Sequence, residues 1–226
     1  VAMRIRLSFE RPEGSGLCIM VDLLRASATI TAALDRFREV IPVADIEEAM
    51  EYSRKGYLVA GERGGETLPG FIANSPLEVK NYRGDVLVLT TSNGTRILES
   101  VKSDALVGCL NNLDAVAEAA RELSDEVEVV MAGVNGRFAI EDFLCAGEII
   151  AAIDGEMDEY AEASVLAVQD RSLVDDAIRR SRSAERLGGL GFMDDVEYCI
   201  KRNITGNVPV YRDGRIELME EIRRLH

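Results

Sequence analysis

The chain has 226 residues, 47% of them apolar and 29% charged, an ordinary globular balance with ample material for a core. Its net charge of −14 argues against a nucleic-acid backbone or an anionic membrane as partner, although clustered arginines can still reverse the field inside one cleft. No secretory leader is seen and no apolar run approaches the ~20 residues that span a bilayer, and Cys18, Cys109, Cys145 and Cys199 form no CxxC pair, so a cytoplasmic protein with buried, reduced thiols is expected.

In chain order, short apolar runs at 5–9, 17–22, 40–43, 57–61, 86–90, 105–109, 127–134 and 208–211 predict strands. Several are so continuous in Val, Ile, Leu and Met that both faces must be covered. Helical spacing fills 45–54, 111–123 and 141–153, while 158–202 is mostly helical and charged, a cover on the sheet or a small subdomain. The alternation predicts one α/β domain, a three-layer α/β/α arrangement around a mixed, largely parallel sheet. The long loop at 61–76 and the short step into 40–43 argue against a regular doubly wound order.

His226 is the only histidine of the chain. A Ser-His-Asp triad, an HExxH zinc site and a phosphohistidine each need an internal one, so acid–base or metal chemistry falls to carboxylates. Three strand-to-helix junctions carry the chemistry: "CIMVDLLRASATITAAL" from 18, "LTTSNGTR" from 89 and "VVMAGVNGRFAIEDFLCAG" from 129. Each sets an arginine (Arg25, Arg96, Arg137) at or near a predicted helix start, where the helix dipole disfavours a cation by roughly 0.3–1 kcal/mol. An anion shared between helix N–H groups and guanidiniums would account for all three, with hydroxyls of Ser27, Thr29, Thr91, Ser92 and Thr95 as further donors. A fourth loop, "AGERGGETLPGFIANSP" at 60–76, adds Glu62 and Arg63 among glycines.

Ordinary readings stand beside these. Asp22 can cap a helix, Asn93-Gly94 can be a plain turn, Glu141 and Asp142 suit any helix N-terminus, and Cys145 reads as packing. What favours a site is convergence, since loops leaving the carboxyl ends of parallel strands gather in one crevice. Neither GxGxxG nor GxxxxGK[ST] is present, Cys18 to Arg25 is one residue too long for C-x₅-R, and Asp22 opens D-L-L rather than DxD. Arginines with Asp22, Glu62, Glu141 and Asp142 suit either Mg²⁺-assisted phosphoryl transfer or binding of a small anion without catalysis.

The blocks "VDLLRASATI", "VAGERGG" with "NSPLE" after it, "LTTSNGTR", "NGRFAIEDFLCAG" and "DDVEYC" resemble, in order, those of the 2-phosphosulfolactate phosphatases, the ComB-like family, from about residue 17 to 211. The resemblance implies a ComB-like α/β fold, a homodimer, and Mg²⁺-dependent hydrolysis of 2-phosphosulfolactate to sulfolactate and phosphate, as in coenzyme M biosynthesis. Carried onto this chain, it makes Arg25, Ser27, Arg63, Thr91, Asn93, Thr95, Arg96, Gly136 and Arg137 binders of the anionic groups. Asp22, Glu62, Glu141 and Asp142 become the metal ligands and the general base, with Asp22 first among them. It also implies a histidine near Ser183, where this chain has none. The alternatives are a phosphatase for another small phosphorylated hydroxy acid, or a binding protein for a small organic acid or phosphate.

Overall fold

A computed structural model describes residues 2–220, so His226 lies outside the described residues. The elements run β1 (Arg4–Phe9), β2 (Leu17–Val21), α1 (Ala26–Ala33), β3 (Phe37–Pro42), α2 (Ile46–Arg54), β4 (Leu58–Arg63), β5 (Glu66–Thr67), β6 (Gly84–Thr90) and α3 (Gly94–Ser100). They continue through β7 (Ala105–Gly108), α4 (Leu113–Leu123), β8 (Glu126–Met131), α5 (Ile140–Ile153), β9 (Glu156–Met157), α6 (Glu159–Ala167), α7 (Arg171–Arg179), α8 (Arg182–Gly189), α9 (Met193–Cys199), β10 (Pro209–Arg212) and β11 (Arg215–Leu218).

Local chemistry explains most boundaries. Asp45, Asp158 and Asp170 cap α2, α6 and α7 by accepting from backbone N–H groups of the first turn, as short acidic side chains do best. In α1 every residue is buried, which fits a helix of Ala, Ser, Thr and Ile that presents no charged face to water. The strand β11, absent from the sequence-based prediction, alternates charged and apolar residues and is joined to β10 by Asp213-Gly214. Both turn residues have positive φ (50° and 80°), the conformation an Asp-Gly hairpin favours.

The described strands form one mixed sheet in the order β5-β4-β6-β3-β11-β10-β7-β2-β8-β1-β9. β4, β6 and β3 are parallel to one another, as are β7, β2, β8, β1 and β9. Three successive antiparallel pairings, β3 with β11, β11 with β10 and β10 with β7, separate these groups. The two parallel halves therefore run in opposite senses, a departure from the doubly wound pattern that the β10–β11 hairpin imposes.

Alternation along the strands sorts the core into two main layers. Ile19, Val21, Val127 and Val129 pack with α4 and α5 residues such as Val116 and Ile149. Cys18, Met20, Leu87, Leu89 and Val107 pack with Ile30 of α1 and Ile97 and Leu98 of α3. Helices thus cover both faces of the sheet, and α1 and α3 each touch strands of both halves. The four cysteines are buried and unpaired. In the 158–202 segment, α6 and α7 lie on α5, while α8 and α9 share a small cluster of Ala184, Leu187 and Val196 with Leu24 and Phe192. Among the described residues no helix is long and apolar enough to cross a membrane.

Candidate active site

The ends of β2, β4 and β6 meet at a cavity of about 820 Å³, roofed by the turn from α7 into α8. Asp22 follows the last residue of β2 and is buried. Its Oδ2 accepts from Gly94 N of α3 at 3.0 Å, and its own N–H donates to Ser27 Oγ at 2.8 Å. A Cβ on Gly94 would lie 2.8 Å from Asp22 Oδ2, so glycine is what allows α3 to approach this carboxylate. Burial pushes Asp22 up to about 7, aided by the charges of Glu62 and Glu141 and opposed by the N–H groups of Gly94 and Ala26.

Glu62 closes the next corner. Its carboxylate accepts from Ser92 N at 2.7 Å, Ser92 Oγ at 3.1 Å and Gly65 N at 2.7 Å, clipping the ends of β4 and β6 together. Glu141, in the first turn of α5, is 3% exposed and lines the cavity, and no hydrogen bond from the described residues reaches its carboxylate. Its neighbour Asp142 is turned elsewhere: Oδ1 accepts from Leu23 N and Oδ2 from Gly133 N, each at 2.9 Å. Burial, then the charges of Asp22 and Glu141, hold Asp142 well above the usual carboxylate range.

The cationic groups divide in the same way. Arg25 lines the cavity but is 2% exposed. It donates to Asp195 Oδ2 at 2.9 Å and to Gly65 O at 3.1 Å, and lies 4.2 Å over the Phe192 ring. Ser75 Oγ donates to the other oxygen of Asp195 at 2.7 Å. Arg137 is presented by a two-residue hairpin in which Val134 pairs with Arg137 and Asn135 and Gly136 take φ of 49° and 73°. Asn93 Oδ1 anchors this hairpin by accepting from Asn135 N at 3.0 Å.

The structure thus brings Asp22, Glu62, Glu141, Arg25, Ser92, Asn93 and Arg137 to one cavity. It keeps eight other predicted residues off the lining, among them Thr29, which is buried within α1. Asp142 is spent on two loops, as above. Ser27 accepts from Asp22 N, and Thr91 and Thr95 bond each other at the start of α3. Arg63 donates to Glu62 O, Ala44 O and Thr90 Oγ1, with burial lowering its affinity for protons. Arg96 is exposed to solvent, and Gly136 serves the turn.

Sequence reasoning missed Asn74, Arg180, Ser181, Arg182, Ser183 and Arg186, all of which line the cavity. Arg182 and Arg186 are one helical turn apart on α8, so the spacing did place both on one face. Arg137, Arg180, Arg182 and Arg186 make no carboxylate pair among the described residues. Asn74 is 3% exposed and its Oδ1 has no hydrogen-bond partner among the described residues, a cost unless a ligand or water satisfies it.

Carboxylates at strand ends, facing one cavity with guanidiniums that have no carboxylate partner among the described residues, define a receptor or enzyme for a small, multiply charged anion. The model of the 2-phosphosulpholactate phosphatase family matches residues 5–214, and the chain belongs to that family. It is 38% identical over 211 residues to a probable 2-phosphosulfolactate phosphatase of Clostridium tetani, covering 88% of this chain and 91% of that protein. A protein of the same name from Thermotoga maritima is 37% identical over 209 residues, covering 89% and 92%.

Proposed function

We propose that the chain is a Mg²⁺-dependent phosphomonoesterase that hydrolyses 2-phosphosulfolactate to sulfolactate and phosphate, the type of step used in coenzyme M biosynthesis. One observation carries the reading: in a chain of net charge −14, four guanidiniums without carboxylate partners among the described residues face the same cavity as Asp22 and Glu141. A substrate with phosphate, sulfonate and carboxylate on three carbons offers one anionic group after another to such a wall. Family membership and the names of the relatives support the choice of substrate.

Among the described residues no three of His, Cys, Asp and Glu form a metal cluster on their own. Mg²⁺ does not require one, because it is commonly held by one or two carboxylates, substrate phosphate and water. Asp22 and Glu141 fit that role: both face the cavity, and their mutual repulsion is what a divalent cation relieves. When bound, Mg²⁺ supplies charge neutralisation at the phosphoryl oxygens. Arg137, Arg180, Arg182 and Arg186 hold the anionic arms, and Arg25 is kept rigid behind them by Asp195 and Phe192. With no histidine among the described residues, the departing hydroxyl oxygen takes its proton from water or a cavity carboxylate.

The test is inorganic phosphate release from 2-phosphosulfolactate with added Mg²⁺ and with excess chelator. Release that the chelator abolishes is expected. Release that persists in chelator removes the metal from the reaction. No release, with thermal stabilisation by the same compound, makes the chain a binding protein.

A further inference from the structure

Asn74 lies between β5 and β6 and lines the cavity, yet its side-chain amide holds no other part of the described chain. Its Oδ1 is sealed from solvent with no hydrogen-bond partner among the described residues, and Nδ2 makes no hydrogen bond with them either. An asparagine ahead of a turn commonly folds Oδ1 back onto the N–H two residues on. Here that residue is Pro76, which has no N–H to offer.

The backbone on both sides of this residue is pinned. Ahead of it, Ile72 N donates to Val59 O at 3.0 Å and Ala73 N to Glu78 Oε1 at 3.2 Å. After it, Ser75 Oγ donates to Asp195 at 2.7 Å and accepts from Glu78 N at 3.0 Å, while Ser75 O accepts from Val79 N at 3.1 Å. Asp195 is in turn paired with Arg25, so Asn74 shares its footing with a guanidinium of the cavity. A sealed, unpaired acceptor destabilises the fold, and a leucine of nearly the same shape would remove that cost. What leucine lacks is the donor at Nδ2. With no acceptor on the described chain, that donor is left for what the cavity holds.

We propose that Asn74 is a substrate-contacting residue whose Nδ2 donates to an oxygen of the bound phosphoryl ester. The proposal rests on the phosphatase reading above. Such a ligand offers acceptors throughout, so the end of the amide that meets it is Nδ2 rather than Oδ1. The guanidiniums meet the same anion with full charges. The amide adds a donor that bears none, on a segment fixed before the ligand arrives.

The experiment measures phosphate release from 2-phosphosulfolactate with added Mg²⁺, and the melting temperature of the ligand-free chain, for wild type, N74L, N74A and N74D. N74L substitutes an apolar group of like shape and N74A adds no bulk, so at least one is expected to melt at or above wild type. Both are expected to lose about 10–100-fold in kcat/KM, as removal of one hydrogen bond to a charged group predicts. N74D, which keeps the oxygen and loses the donor, does no better than N74A. A merely structural role lowers melting temperature and activity together. That result in both N74L and N74A, or wild-type kcat/KM in either, overturns the proposal, while wild-type turnover leaves the phosphatase reading standing. N74D more active than N74A overturns the assignment to Nδ2. A wild type that releases no phosphate overturns both readings.

Discussion

Asp22, Glu141 and Asp142 are three buried carboxylates whose hydrogen bonds assign them different tasks. Asp142 gives both oxygens to backbone N–H groups of Leu23 and Gly133. D142A strips two buried donors of their acceptor and is expected to cost about 2–5 kcal/mol by urea unfolding. Among the described residues no donor bonds Glu141, so E141Q should leave the unfolding midpoint in place while lowering phosphate release by roughly 100-fold or more. The reverse pattern for the pair would exchange their roles. Asp22 governs a pH dependence. An unfolded aspartate loses its proton near its ordinary value of 3.8, whereas folded Asp22 keeps it to about 7. Between those values the native state binds more protons, so this group's contribution to stability is full below about pH 4 and declines, by a few kcal/mol, as pH rises to about 7. In metal-free D22N that decline is absent, which unfolding at about pH 5 and about pH 8 would show.

At the scale of elements, the hairpin after β8 sets the reach of Arg137. Asn135-Gly136 is the dipeptide a tight hairpin prefers, because both positions need positive φ. In the sequence it reads equally as part of an anion loop, and the structure gives the glycine to the turn rather than to the cavity lining. G136A is expected to cost about 1–2 kcal/mol and to raise KM by displacing Arg137. A variant with wild-type stability and kinetics would show that the turn tolerates a side chain. The other decisive turn, Asp213-Gly214, carries the same signature, yet the charged residues of β11 hid the strand that follows it. A strand of four residues with only Ile216 fully buried has little periodicity to display.

Across the whole molecule, one buried ion pair links distant parts of the chain. Arg25, at the β2–α1 junction, and Asp195, on α9, are each 2% exposed and 2.9 Å apart, with Ser75 bonded to the same carboxylate. Removing one partner leaves an uncompensated buried charge, so D195A is expected to lose about 3–5 kcal/mol and to lower activity with it. D195N, which retains the shape and one acceptor, should recover part of both; equal loss in the two variants would mean that charge alone holds the junction. The four guanidiniums without carboxylate partners among the described residues belong to this scale as well, since Arg180, Arg182 and Arg186 reach the cavity only because the α7–α8 turn folds over the ends of β2, β4 and β6.

The eight strand runs and the three main helices were legible in the sequence because apolar periodicity is a local property that burial must respect. The absence of an internal histidine, the carboxylates and arginines at strand ends, and the family blocks were equally open to view. Only the tertiary structure decided which of those groups face the cavity. Glu141 and Asp142 are adjacent letters, yet successive helix residues point about 100° apart, so one looks into the cavity and the other staples two loops. The β10–β11 hairpin sets the two halves of the sheet antiparallel, so the gathering of loops at one edge of a parallel sheet does not by itself join them. Contacts such as Asp22 with Gly94 and Glu62 with Ser92 do. Those contacts are between residues 72 and 30 positions apart, and only competition among buried donors and acceptors in the folded chain selects them.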